Sequence, residues 1–430
     1  MAPKIAIIGA GPGGCMLARL LHITNPDIPV IIFEAEASVN YRSQGGTLDL
    51  RSDTGLAAIK RAGLWDEFQK HARYDGESLL VTDKDLVTWM KRSPRKNAND
   101  REKPLQEAPE IDRKDLRKML MESVPAGTVR WGYKLLRVED TTSSGLQLHF
   151  TNGEVLGGFD LIVGCDGAFS KTRTLLSSEK PFYVGLAGWA LTIPDPIHTA
   201  PEVYKMVNRG SVFAYSDGKS LNIQQLADES IHLSYYGPYP EDYTQTCGFD
   251  AQDLSVVKSK MKDALHDWSP KLTDAVDKAQ GGVTWRNLYQ LPVGLTWWHK
   301  PGITLLGDAA HLMTPFAGIG VNTAFYDAVL LADAITSHAE SEAATTKEEA
   351  QDDGLDARIV QYERKMFEHA HEGQARTEGA MKDMLLTPGA PRTSIESWVC
   401  RHAKAETPAW SHPFIIAIVY VGFWVYKCFV

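Results

Sequence analysis

The residues of this chain best suited to chemistry are glycines and carboxylates placed where a predicted strand meets a predicted helix. Near the N-terminus, KIAIIGAGPGG carries Gly9, Gly11 and Gly14 in the spacing G-x-G-x-x-G. In such a turn the first glycine permits the tight bend, the second lets the backbone approach a pyrophosphate, and the third allows close helix–strand packing. The helix that follows offers free N–H groups and its positive dipole end to the phosphates. This spacing predicts a dinucleotide-binding turn.

A carboxylate follows the second predicted strand, at residues 30–33. Glu34 stands about 20 residues after the last glycine of the turn, where an acidic side chain accepts hydrogen bonds from the ribose hydroxyls of an adenosine. A glycine-rich turn alone would be weak evidence, but here the strand, the helix and the acidic residue all accompany it. We therefore expect this part of the chain to bind the ADP portion of a dinucleotide.

A second corner of the same type lies past residue 300, in ITLLGDAAHLMTPFAGIGVNTAF. Asp308 ends an apolar strand there, and a carboxylate at this point can hold the polyol chain that joins phosphate to a flavin ring. The turn that follows has little side-chain volume, so its backbone can pass under the ring; it contains Pro315, Gly318, Gly320, Val321 and Asn322. We expect a helix to start at residue 322 or 323 and to aim N–H groups at the pyrimidine edge of the ring. Two such corners favour FAD over NAD(P) as the bound dinucleotide.

Three separated motifs resemble those of the class A FAD-dependent aromatic hydroxylases, which share the para-hydroxybenzoate hydroxylase fold. They are residues 9–14, the segment DLIVGCDGAFSKTR around Asp166, and the Gly-Asp pair that ends at Asp308. Within that family the chain is most similar to the tetracycline-inactivating monooxygenases, through RSQGGTLDL at residues 42–50 and EIDRKDLR at residues 110–117. The match covers about the first 385 residues and is poor in the middle, where a substrate would sit.

The resemblance implies cofactor contacts, position by position. Glu34 takes the adenosine ribose, while Asp49 and Asp308 contact the flavin or its linker. Arg113 pairs with the FAD backbone, because a guanidinium fork suits phosphate and ribose oxygens. Arg42 lies where the family places a residue that contacts NADPH or FAD. Without the resemblance, Arg113 would be read as a solvated arginine at the start of a helix.

The same resemblance implies that Asp166 orients its own loop and that residues 315–322 surround the flavin ring. His311, in the second corner, is interpreted as a histidine whose ring is satisfied by neighbouring backbone, and not as a catalytic base. No residue is assigned to catalysis, because a bound flavin carries the redox chemistry itself.

The elements that position these residues predict an α/β protein with a discontinuous main domain. A Rossmann-like FAD-binding domain is expected over residues 1–75, 105–180 and 285–335. Residues 76–104 and 181–284 show period-two alternation and predict a mostly antiparallel β-sheet substrate domain inserted into it. A long C-terminal helix is expected over residues 355–385, followed by an extra tail over residues 386–430.

One face of the inserted sheet is expected to cover the cofactor and to form the roof of a substrate pocket. Aromatic and amide side chains suit a flat, hydroxylated ring system. Ordinary sheet core explains each of these positions equally well. The candidates are Phe213, Tyr215, Asn222, Gln224, His232, Tyr235 and Tyr236 from the sheet, with Met313 and Phe316 from the cofactor side.

Composition limits the partners. The 45 basic and 54 acidic residues give a net charge of −9 without a long basic run, which argues against nucleic acid. The 5 cysteines are scattered and show no C-x-x-C spacing, so neither a disulfide framework nor a metal site is predicted, and a reducing compartment is favoured. The N-terminus enters a strand by Lys4, with no room for a signal peptide. We expect a cytoplasmic monomer.

The end of the tail is strongly apolar. From Phe414, the sequence FIIAIVYVGFWVYKCFV is interrupted only by Lys427 and is slightly shorter than the roughly 20 residues of a spanning helix. Its Trp, Tyr and near-terminal Lys fit a helix seated at or in a bilayer. A buried or dimer-forming helix explains the pattern equally well, so membrane association through residues 414–430 stays open.

Together these features predict an FAD-dependent monooxygenase. It would use O2 and NADPH, or NADH, to hydroxylate or epoxidise an aromatic or polycyclic small molecule, in secondary metabolism or xenobiotic modification. The use of NAD(P)H is implied by the resemblance alone. Two alternatives stay open: a flavin-dependent oxidase or dehydrogenase on the same scaffold, and a non-catalytic, membrane-tethered flavoprotein. The W-x-W-x-I-P signature is missing, which argues against halogenation.

Overall fold

A computed structural model gives the structure of the chain and describes residues 2–38, 46–74, 76, 78–92, 108–142, 145–344 and 354–430. The strands in this part of the chain are β1 (Ile5–Ile8), β2 (Val30–Glu34), β3 (Thr47–Asp49), β4 (Leu79–Thr82), β5 (Thr88–Arg92), β6 (Glu110–Asp112), β7 (Val129–Trp131), β8 (Leu135–Thr141), β9 (Gly145–Phe150), β10 (Val155–Gly157), β11 (Leu161–Gly164), β12 (Phe182–Ile193), β13 (Ser211–Ser216), β14 (Lys219–Gln225), β15 (Ile231–Pro238), β16 (Gly281–Gln290) and β17 (Ile303–Leu305). The α-helices are α1 (Pro12–Thr24), α2 (Ala57–Arg61), α3 (Trp65–His71), α4 (Arg113–Ser123), α5 (Pro196–Thr199), α6 (Pro201–Val207), α7 (Tyr243–Thr246), α8 (Leu254–Ala264), α9 (Pro270–Lys278), α10 (Asp308–His311), α11 (Gly320–Ala344), α12 (Leu355–Met381), α13 (Ile395–Ala405) and α14 (His412–Tyr426).

A five-stranded parallel sheet has the strand order β7-β2-β1-β11-β17. All four residues of β1 are buried, as expected of a strand that is covered on both faces. Ile5 and Ile7 pack against α1, α4 and α11, while Ala6 and Ile8 pack against the antiparallel sheet β8–β10. The small antiparallel sheet was not predicted from the sequence.

The inserted sheet has seven strands in the order β16-β12-β15-β14-β13-β4-β5. Every neighbouring pair is antiparallel except β13 with β4. One face of the sheet packs on α6, α8 and α9 through a core that includes Leu233 and Trp189. The mostly antiparallel insertion predicted from period-two patterning is thus confirmed, and the hairpin β4–β5 belongs to it. The domain limits themselves stay a prediction.

Helix α12 is hydrogen-bonded to the loop that follows β17. The Thr377 hydroxyl, on α12, donates to the Thr314 carbonyl at 2.7 Å and accepts from the Ala317 amide at 3.2 Å. The predicted helix over residues 355–385 is present, although its α-helical part ends at Met381 and continues as a π-helical turn, Lys382–Leu386.

The start of α11 corrects one expectation. The helix begins at Gly320 and not at residue 322 or 323. Gly318 takes the left-handed conformation, with φ of 63°, and closes the preceding 3-10 turn. The amide of Thr323 then bonds the carbonyl of Ile319 at 2.9 Å, so the first helical turn already includes the glycine at 320.

The last helix lies along the body of the molecule. The Tyr426 hydroxyl donates to the Thr88 carbonyl at 2.6 Å, and the Lys427 ammonium pairs with Glu396 at 2.6 Å. Residues 409–426 are long and apolar enough, by length and composition, to cross a membrane, and their share of residues buried in the protein is 0%.

Candidate cofactor and substrate site

The predicted cofactor residues meet at one edge of the parallel sheet. Gly9 follows β1, Glu34 ends β2, Asp166 follows β11 and Asp308 follows β17. These are the carboxyl ends of adjacent parallel strands, the edge at which doubly wound sheets bind their ligands. The fold therefore brings both sequence corners to the same groove.

The first turn has the shape that a pyrophosphate requires. Gly9 has φ of +105°, and a Cβ added there would lie 2.5 Å from the Cys165 carbonyl oxygen. A Cβ on Gly14 would lie 2.3 Å from the Gly9 oxygen, so only glycine lets helix and strand pack this closely. A Cβ on Gly11 would meet nothing within 4 Å. The backbone is thus open to a ligand at the N-terminus of α1, and these residues fit the diphosphate of FAD.

Glu34 and a second carboxylate organise the adenosine end of the groove. Glu34 accepts from the amides of Ala10 at 2.6 Å and Glu36 at 2.8 Å. The Glu36 carboxylate in turn pairs with Arg117, whose Nε and Nη1 are buried without a partner among the described residues. Unpaired guanidinium donors fit an anionic group of the cofactor.

Arg117 was missed by the sequence reasoning. It lies in the EIDRKDLR segment that carried the resemblance, four positions after Arg113, and its neighbours Leu116 and Leu120 are buried. An arginine among buried apolar residues of an amphipathic helix was the available signal.

Asp166 holds its own loop, as the resemblance implied. Its carboxylate accepts from the Ser170 hydroxyl at 2.5 Å and from the amides of Lys171 at 2.7 Å and Thr172 at 3.1 Å. Arg173, at the end of this loop, donates to the Ala309 carbonyl at 2.8 Å. The loop after β11 is thereby fastened to the corner after β17.

The second corner rests on a buried ion pair. His311 Nε2 lies 2.6 Å from Asp327 Oδ2, which also accepts from the Gly307 amide at 3.0 Å. Burial acts to lower the pKa of His311, but the charge and hydrogen bond of Asp327 outweigh it and raise that pKa. The Nε2 atom is therefore paired with a carboxylate and not with backbone, which corrects the expectation, and Nδ1 is buried without a hydrogen-bond partner among the described residues. His311 positions the corner and does not face the groove, since its exposure is 2%.

Asp308 itself opens into the groove. Its side chain is accessible there, although protein surrounds the groove. Burial raises the pKa of the Asp308 carboxyl, and the charges of His311 and Arg113 act in the opposite direction. This placement suits the predicted contact with the flavin linker.

The side chain of Asn322 anchors the turn that is expected under the flavin ring to a neighbouring loop. The Asn322 amide donates to the Asp49 carbonyl at 2.8 Å and accepts from the amides of Arg51 at 2.8 Å and Gly55 at 3.2 Å. The predicted positions of this turn comprise exposed Pro315 and Gly318, half-buried Phe316, Gly320 and Val321, and buried Asn322.

Cationic and aromatic side chains meet between this turn and the inserted sheet. Arg113, at the start of α4, donates its backbone N–H to the Gly46 carbonyl at 3.1 Å. A Cβ on Gly46 would lie 3.9 Å from both Arg113 Nε and His232 Cδ2. The Tyr236 and Phe316 rings stand edge to face, 6.3 Å apart. We call the space bordered by Arg113, His232, Tyr236, Arg286 and Phe316 the chamber.

Electrostatics in the chamber favour a neutral imidazole. Burial, followed by the charges of Arg286 and Arg113, lowers the pKa of His232 to about 4. Burial raises the pKa of Tyr236, and the same two arginines oppose that shift. Arg286 was missed by the sequence reasoning; its position in the alternating strand β16 was the only signal.

The remaining substrate candidates separate by sheet face. Gln224 lies on the chamber face, where its amide donates to the Thr47 hydroxyl at 3.4 Å. Tyr235 faces the helical layer instead, with 1% exposure and its hydroxyl 3.2 Å from that of Tyr239. Tyr215 is buried in a core against which Phe213 packs, and Tyr236 and Phe316 of the chamber pack against the same core. The structure thus places Gln224 on the chamber face and Tyr235 on the opposite face, and the roles of Tyr215 and Phe213 stay predictions.

One predicted contact cannot be placed. Arg42, assigned by the resemblance to NADPH or FAD, lies outside the described residues. Asp49 ends β3 and is half-buried, so it lies next to the segment that Asn322 holds.

Comparison with known proteins identifies this architecture. The chain matches the family described as FAD binding domain over residues 3–364. The chain belongs to this family. It is 29% identical to "Monooxygenase penA" of Penicillium thymicola over 424 residues, covering 88% of this chain and 93% of the relative. It is 24% identical to the 6-hydroxynicotinate 3-monooxygenase of Bordetella bronchiseptica over 339 residues, covering 76% of this chain and 82% of the relative.

The fold also matches that of the tetracycline destructase Tet(55). The TM-score is 0.67 at 18% identity, over 94% of this chain and 97% of that one. The resemblance inferred from sequence motifs is thereby confirmed. The chain is an FAD-dependent monooxygenase, and the non-catalytic flavoprotein is no longer an alternative. NAD(P)H is the usual electron donor of this family.

Proposed function

We propose that the enzyme uses NADPH or NADH and O2 to hydroxylate or epoxidise an aromatic or polycyclic small molecule bound in the chamber. The observation that carries this proposal is that both aromatic and cationic side chains border the chamber. Phe316 and Tyr236 offer aromatic surface, while Arg113 and Arg286 offer positive charge. A flat ring packs against this aromatic surface, and an oxygen substituent on that ring meets the arginines.

The charges of the chamber favour an ionisable hydroxyl on the substrate. His232 is neutral near pH 7, because its pKa is lowered to about 4. A neutral imidazole can accept a hydrogen bond from a phenol, and the two neighbouring arginines favour the ionised form of that phenol, whose proton leaves to solvent. A phenolate ring is richer in electrons than the phenol, and carbons of such a ring are the better targets for electrophilic oxygen. We therefore propose a phenolic or similarly acidic substrate.

Bound FAD supplies electron transfer from NAD(P)H and the activation of O2. The chain's own residues do the remaining work. The open turn at Gly11 and the guanidinium of Arg117 would hold the phosphate groups of the cofactor, and Asp308 with Arg113 would hold its linker. The chamber excludes water and orients the substrate carbon. The neutral imidazole of His232 accepts a hydrogen bond from the substrate hydroxyl.

One relative supports the substrate class. The Bordetella bronchiseptica enzyme is named for 6-hydroxynicotinate, a hydroxylated aromatic ring that carries an acidic group. We extend this chemistry to the present chain because its chamber combines cations with aromatic walls. A role in secondary metabolism or xenobiotic modification stays a prediction.

The test is a matched comparison of phenols with their methyl ethers. Mono- and polycyclic phenols are offered to the FAD-loaded enzyme with NADPH under 18O2, and NADPH oxidation and product mass are followed. We expect a phenol to stimulate NADPH oxidation and to gain one labelled oxygen, while its methyl ether does neither. Equal turnover of both members would contradict the acidic-substrate proposal. Hydrogen peroxide formed in step with NADPH use, without labelled product, would favour the oxidase alternative.

We also propose that α14 seats the enzyme on a membrane surface. Its outward face carries Phe414, Ile418, Val421 and Trp424, with exposures of 66%, 72%, 62% and 70%. Its inner face is bound to the body of the protein, so the helix is better placed to lie in the interface than to cross the bilayer. The cytoplasmic location and the monomeric state stay predictions.

A further inference from the structure

A second cavity, of about 660 Å³, lies where α13 and α14 pack against α11 and α12. Of the described residues that line it, none belongs to the chamber. Its volume falls within the roughly 300 to 1,000 Å³ typical of small-molecule sites. The C-terminal tail, beyond the region matched to the family, supplies much of the wall. The space lies beside the cofactor turn, which contributes Ile319 and Asn322 to its lining.

The inner end of the cavity carries an excess of positive charge. Arg51 and Arg376, with side-chain exposures of 20% and 13%, share the single carboxylate of Glu406 at 3.4 and 3.8 Å. Burial, followed by the charge of Arg51, lowers the pKa of Arg376 to about 10. The Nε atoms of both arginines are buried without a hydrogen-bond partner in the described part of the chain. Two guanidinium groups and one carboxylate leave donors for an anion.

The other charges around the cavity do not cancel this excess. Arg401 is paired with Asp383 at 3.0 Å, so this pair is neutral. Lys404 adds a half-buried ammonium. The carboxylates of Asp53 and Glu372 also line the cavity, but both residues are exposed, where water screens their charge. The buried end is therefore cationic and the acidic groups lie at the rim.

Part of the lining is apolar. Ile319 comes from the turn before α11, and Ile416 and Tyr420 come from α14. A cationic end joined to an apolar wall matches a ligand with an acidic head and a hydrocarbon tail. We propose that this cavity binds a single-chain anionic amphiphile. Its carboxylate or phosphate head contacts Arg51 and Arg376, and its chain lies along Ile319, Ile416 and Tyr420.

Occupancy of the cavity is linked to the cofactor turn through one arginine. The Arg51 guanidinium donates to the Ala317 carbonyl at 3.4 Å, and its backbone amide donates to Asn322 at 2.8 Å. A head group that draws the guanidinium away from Ala317 changes the hydrogen bonding of the turn expected under the flavin. We therefore expect ligand binding to shift the absorption spectrum of the bound flavin.

The test uses FAD-loaded, full-length enzyme in calorimetric titrations, without NADPH or substrate. The probes are oleate and dodecyl phosphate below their micelle concentrations, with dodecanol, acetate and inorganic phosphate as comparisons. We expect both anionic amphiphiles to bind at one per chain and at least tenfold more tightly than the comparisons. A preference between oleate and dodecyl phosphate identifies the head group. Dodecanol binding as tightly as dodecyl phosphate would overturn the proposal.

Variants at the two ends of the cavity keep the test independent of any single substitution. R376M removes the head-group contact, and I416W fills the apolar end; each should weaken oleate at least tenfold. R364M, on the exposed side of the same helix α12, is the matched control and should bind as the parent does. Unchanged binding in both cavity variants would overturn the assignment. Loss of binding on replacing the outward residues Phe414 and Ile418, with both cavity variants unaffected, would place the amphiphile on the outer surface of α14 and overturn it too.

Discussion

Single residues set the chemistry of the chamber, and the neutral state of His232 depends first on burial and then on two neighbouring arginines. Arg286→Gln removes one of the two arginine charges that act on this imidazole. We expect the pKa of His232 to rise from about 4 toward its ordinary value of about 6.5, and turnover of phenolic substrates to fall. NMR titration of labelled histidine measures the pKa. Arg137→Gln, on an exposed strand of the small sheet, should change neither quantity.

The same imidazole adds a pH-dependent contribution to stability. The pKa of His232 is about 4 in the folded chain and about 6.5 when unfolded. Between these values the unfolded state binds the proton more readily, so acidification destabilises the fold by up to about 1.4 kcal/mol per pH unit. His402, with a pKa also lowered to about 4, acts in the same direction. His232→Asn should reduce the loss of unfolding free energy between pH 6.5 and 5, while exposed His198→Asn should not.

Arg117 provides the test of the cofactor groove. Its buried Nε and Nη1 lack partners among the described residues, and a charge-assisted hydrogen bond to the cofactor contributes about 1.5 to 3 kcal/mol. Arg117→Gln should therefore weaken FAD by roughly 10- to 100-fold. Quenching of flavin fluorescence measures the affinity. Lys118→Gln changes the exposed residue next to it and should leave affinity unaltered; equal weakening by both variants would deny Arg117 this role.

At the scale of elements, the first turn of α11 depends on the loop that Asn322 holds. Its side chain makes hydrogen bonds to three backbone groups of residues 49–55 and is itself 2% exposed. Asn322→Ala leaves these groups unpaired, which we expect to cost about 2 to 5 kcal/mol of unfolding free energy. Denaturant unfolding of the FAD-free protein measures this cost, with exposed Glu340→Gln on the same helix as the control. A loss no greater than that of the control would show that water replaces the amide.

Elements fixed by local signals were predictable. The β1–α1 turn and the helix Arg113–Ser123 follow from glycine spacing and periodicity within a few residues, and the structure confirms both. The face of β15 that meets the cofactor was not predictable. Tyr235 and Tyr236 are adjacent aromatics, and both faces of the sheet are covered, one by helices and one by the cofactor half. Burial on both faces removes the polar–apolar contrast that sequence patterns need.

Contacts between residues that are far apart in the sequence could not be predicted either. The charge of Arg286 acts on His232 only because β12 places their strands in one sheet. His311 was expected to bond local backbone, yet its partner Asp327 lies one helix later. A lone sequence carries no signal for such contacts, since each residue also suits a solvated or core position.

At the scale of the whole molecule, the C-terminal helices connect three regions. α12 is bonded to the cofactor turn through Thr377, α13 and α14 close the second cavity, and α14 presents an apolar outer face. Exposed apolar area of this kind marks a contact surface. A partner bound to the outer face of α14 would therefore be separated from the second cavity by α14 alone. It would be separated from the flavin turn by α14 and α12.

The membrane proposal predicts that the outer face of α14 is needed for membrane binding but not for folding. The triple variant Phe414→Ser, Ile418→Ser and Trp424→Ser should retain FAD but lose at least tenfold of its co-sedimentation with phosphatidylcholine–phosphatidylserine vesicles, because about 25 cal/mol is lost per Å² of apolar surface no longer buried. Trp298→Ser with Leu136→Ser removes exposed apolar side chains elsewhere and should bind as the parent does. Sedimentation velocity without vesicles tests the alternative: a dimer that the triple variant dissociates would assign this face to a second copy of the chain.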